Sequence, residues 1–86
     1  MIAPTSVNWT TLTTLRATPG SATHLLPASL IEIIRATKLK PIVVRPALDE
    51  LIKQGYVREY QTRYGREYAR TPRGDERLRE VKEWLR

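Results

Sequence analysis

The chain has no cysteine, which excludes disulfides and thiolate metal sites. Its single histidine, His24, has no Asp or Glu near it in sequence and reads as a strand residue, not a ligand or base. The four glycines are too scattered to form a phosphate-cradling loop. Ser6 and Ser29 have no candidate base at a suggestive spacing, which argues against a nucleophile. No apolar run approaches the ~20 residues needed to span a bilayer. Met1 to Asn8 carry no Lys or Arg, so no signal peptide is expected and the cytoplasm of a cell, or of an infected host, is the default location. These absences predict neither an enzyme nor a bound cofactor or metal.

What is present is positive charge. The 86 residues carry a net +6 with a pI near 10.2, a balance that favours polyanionic partners through counterion release. The charge is uneven. Residues 1–37 hold only Arg16, Arg35 and Glu32, a net of +1, whereas residues 38–86 hold thirteen Lys/Arg and eight Asp/Glu, a net of +5. A basic binding surface therefore belongs to the C-terminal half.

At this length there is room for one domain, residues 1–86, with residues 1–7 as an irregular arm. Asn8 is placed to N-cap a short helix with Trp9, Leu12 and Leu15 near one face. Four β-branched threonines weaken that helix, which needs tertiary packing to persist. Thr18-Pro19-Gly20-Ser21 ends it as a turn. A short strand is expected at Ala22–Leu25. Ser29-Leu30-Ile31-Glu32 has capping-box spacing, with Pro27 as a rival first helical position, and predicts a helix to about Thr37 with Leu30, Ile33 and Ile34 inward.

Lys38-Leu39-Lys40-Pro41 reads as the turn into a third helix reaching about Gln54. Val44, Ala47, Leu48 and Leu51 share its inner face, and Gly55 suits a left-handed stop. Tyr56–Thr62 and Arg66–Thr71 then flank Tyr64-Gly65 as a hairpin. The four-residue recurrence of Tyr56, Tyr60, Tyr64 and Tyr68 suggests a helix instead, but Gly55 and Gly65 would each cost it about 1 kcal/mol. Thr71-Pro72 starts a last helix with Leu78, Val81 and Leu85 as its stripe and Trp84 beside it. Its Arg77, Arg79, Glu80, Lys82 and Glu83 form a solvated face of i, i+3 and i+4 pairs. The class is α+β: a three-helix core, a β-hairpin wing and a C-terminal helix.

The run L-K-P-I-V-V-R-P-A-L-D-E-L-I-K-Q-G-Y-V at Leu39–Val57 resembles the third helix and first wing strand of PadR- and MarR-like winged helix-turn-helix regulators. Y-A-R-T-P-R-G at Tyr68–Gly74 resembles their second wing strand and the Thr-Pro-x-Gly start of the last helix. The resemblance spans about residues 27–80. It implies a sequence-specific DNA-binding protein, a small transcriptional regulator acting on double-stranded DNA as a homodimer through its terminal helices. Carried over, it sets Lys40, Arg45 and Asp49 toward the major groove, Lys53 within reach of phosphate, and Arg63, Tyr64 and Arg66 at the wing tip near the backbone.

Two features depart from that pattern. The outward face of the third helix includes Ile42, Val43 and Pro46, where the family favours polar readers, and Pro46 deletes the bond to the Ile42 carbonyl. Ile31 and Ile52 add further apolar surface. Such a patch is covered by packing or a second copy, or else marks a protein interface. The second case would make the chain a protein-binding module, an inhibitor or recruiter of the kind a mobile element carries. Arg70 replaces an inward Leu of the family. A Tyr64-Gly65 loop would set it opposite Glu59 for a cross-strand ion pair.

Overall fold

The computed structural model describes residues 8–21 and 27–84. Its elements run α1 (Trp9–Ala17), β1 (Ala28–Ser29), α2 (Leu30–Thr37), α3 (Pro41–Lys53), β2 (Val57–Thr62), β3 (Gly65–Arg70) and α4 (Pro72–Trp84). The three strands form one antiparallel sheet in the order β1-β3-β2.

The Asn8 side chain caps α1 by accepting from the N–H groups of Thr10 and Thr11, at 2.9 and 3.3 Å. Thr14 and Thr18 are almost fully buried, and each hydroxyl donates to the carbonyl four residues earlier at 2.8 Å. Polar side chains thus enter the core with no donor stranded. Leu12 and Leu15 share that inner arc, while Trp9 is 60% exposed. Two successive i, i+3 steps fall short of full turns, so a 9-12-15 stripe drifts off the core and leaves Trp9 outside. The segment expected as a strand at Ala22–Leu25, with His24, lies outside the described residues, as does Leu85. The described N-terminal strand is β1, with Ala28 opposite Tyr68.

Both halves of the capping box form at α2. The Glu32 N–H donates to Ser29 Oγ at 3.2 Å, and the Ser29 N–H donates to Glu32 Oε1 at 3.1 Å. Hydrogen bonding from Ser29 to the Glu32 carboxyl, that of the backbone N–H foremost, holds it below its usual range. Ser29, not Pro27, therefore sets the start of the helix. Ile33 is fully buried, with Leu30 and Ile34 half-buried around it. Lys38 ends α2 in the left-handed region at φ 59°, and the Thr37 hydroxyl accepts the Leu39 N–H at 3.1 Å to shape the turn.

Pro41 occupies the first position of α3. Val44, Ala47, Leu48 and Leu51 are all buried, as their spacing requires. The helix closes with a complete Schellman motif: the Tyr56 N–H reaches the Leu51 carbonyl at 2.9 Å and the Gly55 N–H reaches Ile52 at 3.0 Å. That geometry needs the φ of +81° at Gly55. Ile52 rests half-buried against the core.

The hairpin forms, but one residue earlier than expected. Thr62 pairs with Gly65, so Arg63 and Tyr64 make the loop and Gly65 takes the positive φ of +107°. Glycine carries the left-handed conformation more easily than tyrosine, and this fixes the register. The shift sets Glu59 opposite Tyr68 and Arg70 opposite Val57. The expected Glu59–Arg70 pair is therefore absent. Arg70 Nε instead donates to Asp75 Oδ1 at 2.8 Å, and its Nη1 donates to the Leu15 carbonyl at 3.2 Å. Arg70 thereby ties β3 to both α1 and α4.

The Thr71 hydroxyl accepts the Gly74 N–H at 3.1 Å and donates to the Gly55 carbonyl at 2.6 Å. It caps α4 and pins the base of the hairpin together. Leu78 and Val81 of α4 are buried and close the core over Leu12, Leu15 and Val57.

Candidate nucleic-acid interface

At 100° per residue, burial of Val44, Ala47, Leu48 and Leu51 leaves a ridge through Ile42, Pro46, Asp49 and Lys53 pointing directly away from the core. All four residues are exposed. Arg45 stands on one flank of the ridge and Val43 on the other. Ile42 is 79% exposed and Val43 only 37%, in keeping with central and flanking positions. Lys40 and Lys53 lie at opposite ends of α3, roughly 20 Å apart along the axis. No side chain caps the start of α3, and its first turn has no acidic residue, so the positive end of the helix dipole is not masked there.

On the hairpin, strand alternation groups Glu59, Gln61, Arg66 and Tyr68 on the face shared with buried Val57. Tyr68 links this face to α3. Burial pushes its hydroxyl up, Glu59 and Asp49 push the same way, and Arg66 and Arg45 oppose them. Charges from the helix and from the hairpin thus act on one buried phenol.

The sequence-derived residues fall into two groups. Arg45, Asp49 and Lys53 lie on the exposed side of α3 with Ile42 and Pro46, Val43 borders it, and Lys40 is the exposed residue immediately before the helix. Arg63 and Tyr64 form the loop, where Tyr64 is 82% exposed. Arg66 lies at the second residue of β3, facing back toward Glu59 at 3.7 Å with both side chains well exposed. An exposed pair of this kind is worth little and leaves the guanidinium available to a stronger anion.

Sequence reasoning missed two cationic features. Arg58 lies over the Tyr60 ring at 5.5 Å on the opposite face of the hairpin. Arg35 and Lys38 are exposed at the end of α2 and in the turn before α3. The i, i+2 spacing of Arg58 and Tyr60 was a usable signal for the first. Arg35 carries no comparable local signal in the sequence.

On the other side of the molecule's core from the ridge, a cavity of about 210 Å³ lies between α1, the end of α3 and α4, with Leu12, Leu51, Tyr56, Arg77 and Val81 in its walls. Among the described residues there is no group of His, Asp or Glu able to hold a metal. No helix among them is long and apolar enough to cross a membrane.

No family model matches the chain, and no curated protein matches it in sequence. Solved structures do match in shape. BpsR of Bordetella bronchiseptica, studied for the regulation of its DNA binding by 6-hydroxynicotinic acid, superposes with a TM-score of 0.79 at 18% identity, over 98% of this chain and 58% of its own. A MarR-family transcription regulator gives a TM-score of 0.74 at 16% identity, over 91% of this chain and 51% of its own. A Ralstonia eutropha protein to which DNA binding is ascribed gives 0.73 at 20% identity, over 88% of this chain and 98% of its own. The chain thus spans little more than half the length of BpsR and of the MarR-family regulator, and nearly all of the Ralstonia protein. Helix-turn-helix, hairpin and final helix together make this a winged helix of the MarR-like form.

Proposed function

We propose that this chain is a DNA-binding transcription regulator that lays α3 in the major groove and the β2–β3 hairpin along the adjoining backbone. The observation that carries this reading is the exposed side of α3, bearing Arg45, Asp49 and Lys53, in a fold whose hairpin holds Arg63, Tyr64 and Arg66 exposed at its tip. An exposed helix side and a cationic hairpin in one fold match a groove and its flanking phosphates. The net charge of +6 favours the same partner.

In this reading Lys40 and Lys53 bind phosphates at the two ends of α3, and Arg63, Tyr64 and Arg66 follow the backbone. Arg45 and Asp49 face base edges, an arginine suited to guanine and a carboxylate to the cytosine amine. Two copies joined through their terminal helices would present two such helices to half-sites one helical turn apart. The exposed Trp9 of α1 and the cavity between α1 and α4 support contact there. The working compartment is then the cytoplasm, without membrane attachment.

Selection from a random 20-bp duplex pool tests this. The expected result is enrichment of a two-fold symmetric site, and retention of no sequence above the starting pool contradicts it. A second reading, docking of a protein partner, draws on the exposure of Ile42 and Ile31. Val43→Asp separates the two, since it should abolish a protein complex and leave nonspecific DNA affinity nearly intact.

A further inference from the structure

The ridge of α3 is chemically divided. Its N-terminal half, Ile42 and Pro46, presents only hydrocarbon, and its C-terminal half, Asp49 and Lys53, presents only charge. Neither Ile42 nor Pro46 has a side-chain donor or acceptor, so neither can read a hydrogen-bonding base edge. Among major-groove features, the C5-methyl group of thymine alone offers an apolar contact.

We infer that Ile42 and Pro46 are specificity-determining residues that recognise thymine methyl groups, so that the preferred duplex places thymines beneath the first two turns of α3. This rests on the DNA-binding reading above and adds the base chemistry to it. Charge around the ridge selects this occupant. Lys40 precedes Ile42, Arg45 flanks Pro46, and Arg35 and Lys38 stand exposed at the α2–α3 turn. An apolar strip bordered by cations complements a methyl-lined groove floor between two phosphate rails. The wing adds the exposed Arg63 and Arg66 to the chain's cationic groups.

Geometry agrees with the chemistry. Ile42 and Pro46 are one helical turn apart, about 6 Å along the ridge, within the span of two stacked base pairs. Pro46 lacks an N–H and has a short rigid side chain, so its ring adds contact area without a flexible chain to immobilise. Asp49, one turn further on, is the first group along the ridge able to read a base by hydrogen bonding, and it favours a cytosine amine.

The test uses a duplex enriched from the random 20-bp pool, resynthesised with deoxyuridine in place of every thymidine. Base pairing is kept and only the methyl groups are lost. The full chain should bind the uracil duplex about fourfold more weakly for each methyl contact removed, the value of one buried methyl. The double variant Ile42→Ser/Pro46→Ser alters exposed positions, and its fold is checked by circular dichroism. It should bind both duplexes alike while keeping the salt dependence of the parent. Equal affinity of the parent for the two duplexes overturns the methyl inference and leaves DNA binding standing. Failure to enrich or bind any duplex overturns the inference together with the DNA-binding reading, and points to a protein on the ridge.

Discussion

Gly74 of α4 sits directly against the backbone of Tyr56, so that a Cβ on it would lie 3.0 Å from the Tyr56 carbonyl carbon and inside the contact radius of its oxygen. The same carbonyl accepts the Thr71 N–H at 3.1 Å. In the Thr-Pro-x-Gly start of the last helix, the threonine therefore holds the chain entering the wing and the glycine lets the helix approach it. Gly74→Ala should destabilise the fold by about 1–3 kcal/mol, since the obstacle is backbone and cannot swing away. A urea denaturation midpoint measures this, and an unchanged midpoint would show the approach is looser than described.

Arg70 and Asp75 give a second expectation. Their 2.8 Å ion pair is mostly shielded, with side-chain exposures of 17% and 22%. Removing one partner strands the other among the Leu15 carbonyl and Ser21, whose hydroxyl also binds Asp75. Arg70→Leu should cost about 1–3 kcal/mol. Asp75→Asn in the same chain should recover part of that loss, because the stranded charge is gone. A double-mutant cycle reads the coupling directly, and strict additivity would mean the two groups do not interact.

That pair also sets a pH dependence. Burial pushes the Asp75 carboxyl up, but hydrogen bonds from Ser21 and Arg70 and the Arg70 charge outweigh it and hold it below its usual range. A folded-state value below the unfolded one means that the stabilisation is present above the unfolded value, ~3.9, and is lost as pH falls through the folded value. Thermal stability should therefore fall as pH drops below about 4. Asp75→Asn should flatten part of that decline. A variant with the parent's acid sensitivity would remove Asp75 as a cause.

The helices and the core were legible in the sequence because their signals are local. Asn8, the Ser29–Glu32 box, Pro41, Gly55 and Thr71-Pro72 act within a few residues of themselves, and each lies where it was expected. The hairpin register was less legible. Moving the loop by one residue moves the pairing by two, and a choice between Tyr64-Gly65 and Arg63-Tyr64 depends on which residue takes the positive φ. The role of Arg70 was hidden for the same reason, since its partner lies on α4 and its third contact on α1. For the candidate interface, exposure of Ile42, Pro46, Asp49 and Lys53 followed from helical spacing alone. That the charges of Arg45 and Asp49 on α3 and of Arg66 and Glu59 on the hairpin all act on Tyr68 depends on tertiary packing that no spacing displays.

Pro46 carries a further expectation. It lies inside α3, where it leaves the Ile42 carbonyl without its helical donor. Its side chain is exposed and contributes nothing to the core. Pro46→Ala should therefore raise stability, by about 1 kcal/mol or more given the ~3 kcal/mol interior cost of proline. A rise in melting temperature checks this. A fall would mean that the proline's rigidity of the unfolded chain outweighs the lost hydrogen bond.

DNA binding of the proposed kind requires a cationic wing that grips phosphate, and salt reads that most directly. Fluorescence anisotropy of a labelled duplex should be followed from about 50 to 200 mM salt for the parent and for Arg63→Ala/Arg66→Ala. The predicted result is a linear fall of log affinity with log salt in the parent, and a slope shallower by about 0.9 for each phosphate contact removed. Affinity unchanged across that salt range, or an identical slope in the double variant, would contradict it.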